Sequence, residues 1–164
     1  MLKKRTADAK VHAISDDQPE KKNGIKCPRG DGKVSDLNRS IVAWAVAQLG
    51  KKVGNGECWT LIAEAFKQVG AEPPRGYVFG REIPLEDATP GDILQFTSAR
   101  FETARYYKIL GLPDHTAIIY SISGNSTFLL HQNFGSKKVT TLDVDFRNLV
   151  SGSVRAYRPA PKER

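Results

Sequence analysis

No apolar run in this chain approaches the ~20 residues that cross a bilayer, which argues against a helical membrane protein. Its basic start, Lys3-Lys4-Arg5, is followed by no apolar stretch, so no secretory leader is read here and the expected compartment is the cytoplasm. Cysteine is scarce. Cys27 and Cys58 are too few for a disulfide framework in 164 residues, and Cys27–Cys58 is the one pairing open to them. There is no internal repeat and no block of lysine and arginine. The net charge of +7 divides into +3 over residues 1–37 and +4 over the rest. With no aromatic–basic motif beside it, nucleic-acid binding is not expected, and a solvated surface of mixed sign is the simpler reading.

What remains is ordinary for one compact globular domain: 40% hydrophobic and 26% charged residues. Residues 1–34 are polar and charged with scattered glycines, and read as a disordered or loosely docked arm. A single domain is expected over 35–160. Ser35 or Asp36 can cap a helix whose Leu37, Ile41, Trp44, Ala45 and Leu49 share one face, closed by Gly50. A second helix carries Leu61, Ile62, Ala65, Phe66 and Val69 at helical spacing and stops at Gly70.

The chemistry then turns to β. Tyr77–Gly80 is a short extended piece. Thr89-Pro90-Gly91-Asp92 signals a turn into a strand at Ile93–Phe96. Residues 98–107 read as an edge strand or hairpin arm, and Leu110-Gly111-Leu112-Pro113-Asp114 as another turn. His115–Ile122 and Thr127–Phe134 read as a hairpin about Ser123–Ser126. Short strands follow at Val139–Leu142 and Ser153–Arg158, with a helical turn within Asp143–Leu149. Two helices followed by antiparallel strands make an α+β pattern.

Cys58 falls where the loop Val53–Glu57 becomes the second helix. Unpaired backbone N–H groups and the positive end of the helix dipole favour a thiolate at that joint, and the thiolate is the nucleophile. A nucleophilic thiol needs a base and a group to orient that base. Of three histidines, His115 and His131 lie sixteen residues apart on adjacent strands ~5 Å apart, so they can touch across the hairpin. That leaves Cys58 as nucleophile, His115 as base, and His131 or Asn133 as the third group. The bland alternatives are a buried inert cysteine, hydrogen-bonded core histidines and a turn asparagine.

Four stretches carry a resemblance: Asn55-Gly56-Glu57-Cys58-Trp59, Pro90–Phe96, Asp114–Ile119 and Leu129–Phe134. Their order and spacing over about residues 38–158 resemble the papain-like fold of the NlpC and CHAP families. The resemblance implies helices packed on an antiparallel sheet and a thiol peptidase or amidase that needs no cofactor or metal. It implies that Cys58 attacks an amide carbonyl, that His115 moves the proton, and that His131 orients the imidazole with Asn133 in support. The Cys58 N–H would be one oxyanion donor, with Asn55 or Gln95 as candidates for the second. Trp59 would pack in the core or stack on substrate, and Gly54 and Gly56 would let backbone pass close to substrate. Glu57 stands where CHAP-like chains often have glutamine, and is expected to point to solvent.

The substrate class so implied is an amide or peptide, cell-wall peptide included. A second likeness, around Gly56-Glu57-Cys58-Trp59 and His131-Gln132-Asn133, is to C-terminal domains of fungal actin-patch scaffolds that bind myosin tails. It implies a non-catalytic interaction module with a protein partner. A zinc site of Cys58, His115, His131 and Cys27 is disfavoured by the lack of paired-ligand spacing.

Overall fold

The computed structural model describes residues 9–13 and 23–163, the first five as backbone only. Two helices precede most of the sheet, as the α+β pattern requires. Helix α1 spans Asp36–Ala47, and the hydroxyl of its N-cap Ser35 accepts from the Asn38 N–H at 3.0 Å. Helix α2 spans Cys58–Val69 and closes on Gly70 in a left-handed C-cap. Its buried residues are Cys58, Leu61, Ile62, Ala65 and Phe66, so the apolar periodicity marks the face that packs. Each fully buried Leu, Ile or Phe there contributes about 1.5–3 kcal/mol.

The strands are β1 (Ala9–Ala13), β2 (Arg81–Ile83), β3 (Ile93–Glu102), β4 (Tyr106–Ser123), β5 (Ser126–His131), β6 (Thr140–Val144) and β7 (Leu149–Arg158). All pair antiparallel in the order β2-β7-β3-β4-β5-β6, and β1 lies beside the first part of β4. Alternation divides the core in two. Ile93, Ile118, Leu130 and Tyr157 meet α1 and α2 on one face. Leu94, Phe96, Ala117, Ile119, Leu129 and Ala156 build the other face with Phe101 and Phe146.

The turn before β3 pins these layers together. Asp92 is fully buried, and its carboxylate accepts from Thr89 N–H at 2.8 Å, Asn38 Nδ2 at 2.9 Å and Arg158 Nη2 at 2.8 Å. That partnership holds the Arg158 guanidinium above its usual pKa. Of the expected 1–34 arm, Asn23 Nδ2 donates to Phe146 O at 2.9 Å, Ile25 and Cys27 pack on the second core, and Arg29 pairs with Asp87 at 2.7 Å.

Two local expectations are corrected. Residues 110–114 are no turn, because β4 runs through them as an 18-residue strand. Its partners step from Thr97↔Asp114 to Ala99↔Leu110, so Gly111-Leu112-Pro113 bulges opposite the single residue Ser98. The glycine–proline cluster kinks a strand instead of reversing the chain, and the reversal lies at residues 103–105. Gly152 faces the same kink at φ +76°, where an added Cβ would lie 2.1 Å from Ser98 O. Residues 75–78 form a tight turn with Arg75 and Val78 exchanging backbone hydrogen bonds, so the extended piece starts only at Arg81. Among the described residues, no helix is long and apolar enough to cross a membrane.

Candidate functional site

Cys58 is the first residue of α2 and is 6% exposed. The loop before it is held by a residue that sequence reasoning passed over. Gln132 Oε1 accepts from Val53 N–H at 3.1 Å, while its Nε2 donates to Val53 O at 2.9 Å and Glu57 O at 2.8 Å. One fully buried amide thus satisfies three backbone groups on either side of the turn that presents the thiol. In the sequence it is one of three consecutive polar residues, His131-Gln132-Asn133, and nothing in the spacing singles it out.

The loop also uses Asn55 internally. Asn55 Oδ1 accepts from Glu57 N–H at 3.0 Å and from Thr60 Oγ1 at 2.7 Å, so it ties the turn before the helix to the side chain of Thr60 in its first turn. The flanking glycines make room for the chain itself. A Cβ on Gly54 would lie 2.5 Å from Thr60 Cγ2, and one on Gly56 would lie 2.9 Å from Lys137 Cβ.

His115 and His131 do meet. His115 Nε2 and His131 Nδ1 are 2.9 Å apart, with the rings edge to face at 5.2 Å between centroids. Such a contact requires one nitrogen to donate and the other to accept. His131 Nε2 lies 3.4 Å from Thr140 Oγ1, and the Phe134 ring packs on both imidazoles. Burial pushes the His131 pKa well below its ordinary value, with His115 and then Lys108 adding to the shift. Its imidazole is therefore neutral near pH 7.

Alternation along β5 explains this arrangement. His131 shares the face of Leu129, away from the helices, whereas Gln132 projects with Leu130 toward α2. Two adjacent residues at the end of one strand lock the imidazole pair on one side and the cysteine loop on the other.

The remaining expected residues are engaged elsewhere. Asn133 lies past the strand end in the left-handed region at φ +67°, with its Nδ2 donating to Glu57 Oε2 at 2.7 Å. Glu57 Oε1 in turn accepts from Lys137 Nζ at 2.7 Å. The Glu57 side chain is close to half exposed, as expected, and its carboxylate is also tied to the 133–137 turn, which folds back over the cysteine loop. Trp59 packs on the helical core and its indole N–H donates to Gly76 O at 2.8 Å. Gln95 is buried in β3 and spends its Nε2 on Asp114 Oδ1 at 3.0 Å, which leaves Oε1 without a hydrogen-bond partner. Both cysteines are free, and Cys27 packs on the core face away from the helices. Among the described residues, no group of three or more His, Cys, Asp or Glu is placed to hold a metal ion.

Comparison with known proteins bears on this arrangement. The family model described as the AIM3/BBC1 cysteine proteinase-fold domain matches residues 33–164. The chain is 30% identical over 163 residues to "Altered inheritance of mitochondria protein 3" of Debaryomyces hansenii, covering 83% of this chain and 18% of that protein. It is 27% identical over 150 residues to "SH3 domain-containing protein C23A1.17" of Schizosaccharomyces pombe, covering 79% of this chain and 9% of that one. The chain therefore spans less than a fifth of the length of either relative. A solved structure, that of Ly7917, aligns with a TM-score of 0.47 at 16% identity over 76% of this chain and 62% of its own.

Proposed function

Because the chain belongs to the AIM3/BBC1 cysteine proteinase-fold family, we propose that it is a papain-like interaction module of a much longer scaffold or cytoskeletal protein, in which the thiol and imidazoles serve the fold. The observation that carries this reading is closure. Cys58 is 6% exposed, His115 is fully buried and His131 is 1% exposed. A scissile amide must come within ~3–3.5 Å of the attacking sulfur and within reach of the base, which a closed site denies. Residues 35–160 form the module, and the His115–His131 contact and the Gln132 clamp tie β4, β5 and α2 into one body. A short piece of a long relative that carries an SH3 domain fits a role in assembly. SH3 domains are themselves peptide-recognition modules.

One observation favours a second reading. The thiol does open a helix, and the strand end that carries His131 also holds that helix start through Gln132. As a thiol hydrolase, Cys58 would add to an amide carbonyl, an imidazole would take the thiol proton and return it to the leaving amine, and water would release the acyl group. His115, packed with His131 and Phe134 on the face away from the helices, would have to reach the Cys58 side of the sheet to do so.

Alkylation by iodoacetamide at pH 7, mapped by mass spectrometry, separates the two. The module reading expects Cys58 to react no faster than N-acetylcysteine, and expects Cys58→Ala to leave thermal stability within about 1 kcal/mol. A Cys58 rate about tenfold or more above that of N-acetylcysteine, lost in His115→Ala, would overturn it in favour of the hydrolase.

A further inference from the structure

The outer part of the β3–β4 hairpin, beyond the kink, is used neither by the core beneath the helices nor by the Cys58 site. Beyond the kink at Ser98 and Gly111–Pro113, β3 and β4 continue as a two-stranded extension from Ala99↔Leu110 to Glu102↔Tyr107. The inner part of β4, Ile118–Ser123, has β5 on its other side. The extension of β4, Tyr106–Leu110, lies beyond the reach of β5, and there its second edge is met by β1. The register runs Ala9↔Leu110, Lys10↔Ile109, Val11↔Lys108, His12↔Tyr107 and Ala13↔Tyr106.

The occupant of that edge comes from outside the span that the family model matches. The family match starts at residue 33, so β1 belongs to the upstream segment and the receiving edge belongs to the family domain. The receiving edge is also firmly built. Arg100 Cζ stacks 3.7 Å over the Tyr107 ring, Lys108 Nζ donates to Asp143 O at 2.7 Å, and Leu110 is fully buried. Tyr106 stays 43% exposed with β1 in place. A rigid edge whose backbone groups are satisfied by a five-residue strand from outside that span has the form of a strand-addition site.

We propose that Tyr106–Leu110 of β4 is a docking edge for an extended peptide of a protein partner, bound antiparallel as an added strand. In this chain the segment Ala9–Ala13 fills the edge in cis and competes with that partner. Backbone pairing supplies the affinity, so the ligand is defined by an extended run of about five residues free of proline. A tethered strand competes at an effective concentration in the millimolar range, so an untethered peptide gains access only when the cis strand is released. The edge is separate from Cys58, so the alkylation result and this proposal stand or fall independently.

The test uses the full chain and a fluorescein-labelled synthetic peptide of residues 8–14. Successive N–H groups of a strand point to opposite edges, so Lys10→Pro with Val11→Pro removes the one of the pair that donates to β4 and breaks the strand backbone at both positions. In hydrogen exchange, the alternate amides within Tyr106–Leu110 that face β1 are expected to lose protection in this variant, while those that face β3 and those of Ile118–Ser123 keep it, which shows that the domain remains folded. Fluorescence polarisation is expected to show the peptide binding the variant at least about tenfold more tightly than the unaltered chain. A peptide with the same two prolines is expected not to bind, and the bound peptide to restore protection at Tyr106–Leu110. The proposal is overturned if exchange at Tyr106–Leu110 is unchanged in the variant, if the peptide fails to bind the released edge, or if both peptides bind alike. A unaltered chain that runs as a dimer, and becomes monomeric in the variant, would also overturn it by making the edge a contact between copies.

Discussion

Replacing Gln132 by leucine removes the clamp on the cysteine loop without changing side-chain volume much. Val53 N–H loses its partner, while Val53 O and Glu57 O each lose one of two donors and keep the Gly56 and Leu61 N–H groups. An unsatisfied buried group costs about 1–3 kcal/mol, and Glu57 O lies near enough to the rim for water to replace the lost donor. Counting the orphaned Val53 N–H fully and the two carbonyls lightly gives a loss of about 2 kcal/mol, a large share of a typical 5–15 kcal/mol. For a domain of this size that corresponds to a fall in Tm of roughly 4–8 °C.

Urea unfolding followed by the fluorescence of Trp44 and Trp59 measures it. The midpoint should fall with the slope unchanged, since the exposed surface is the same. Gln132→Glu makes a sharper comparison. It keeps an acceptor for Val53 N–H but sets a carboxylate oxygen against Val53 O and Glu57 O, so it should be the less stable of the two. If Gln132→Leu falls within about 1 kcal/mol of the unaltered chain, or Gln132→Glu matches it, the loop is held by something else and the clamp has been misread.

Two further outcomes follow from the same structure. His131 is held neutral in the folded state, so below pH 6.5 the unfolded chain takes up a proton that the folded chain refuses. Stability should therefore fall as pH drops from 6.5, by up to about 1.4 kcal/mol per pH unit for this residue, and His131→Asn should remove that part of the slope in urea titrations at pH 7.5, 6.5 and 5.5. Gly152→Ala places a Cβ 2.1 Å from Ser98 O at a positive φ, and should cost more than about 2 kcal/mol by thermal unfolding. Gly124→Ala, at φ +58° with open space around it, should cost only about 1 kcal/mol.

Local chemistry made much of the architecture legible. Helix α2 was readable from Leu61, Ile62, Ala65 and Phe66 because one face of a helix is buried as a unit, and Gly70 marks its end through a conformation other residues resist. The β4–β5 hairpin was readable because its β-branched and apolar runs flank a Ser-Gly-Asn-Ser turn, and its pairing brings His115 beside His131. The kink in β4 was not. Gly111 and Pro113 carry the same signal whether they reverse a chain or bulge a strand, and only the strand opposite decides between the two.

The sequence by itself determined that Cys58 opens a helix, that two histidines lie on neighbouring strands, and that the chain is an α+β domain. Each of these rests on periodicity or on turn residues acting within a few positions of one another. Only the tertiary structure decided what the polar side chains do. Asn133 turned to Glu57, Asn55 braced the turn before α2, Gln95 spent its amide on Asp114, and Gln132 reached a loop 79 positions away in the chain. A hydrogen bond between distant segments leaves no period in the sequence. Its partner is chosen by which backbone groups packing has cut off from water, and that choice exists only once the helices and sheet have come together.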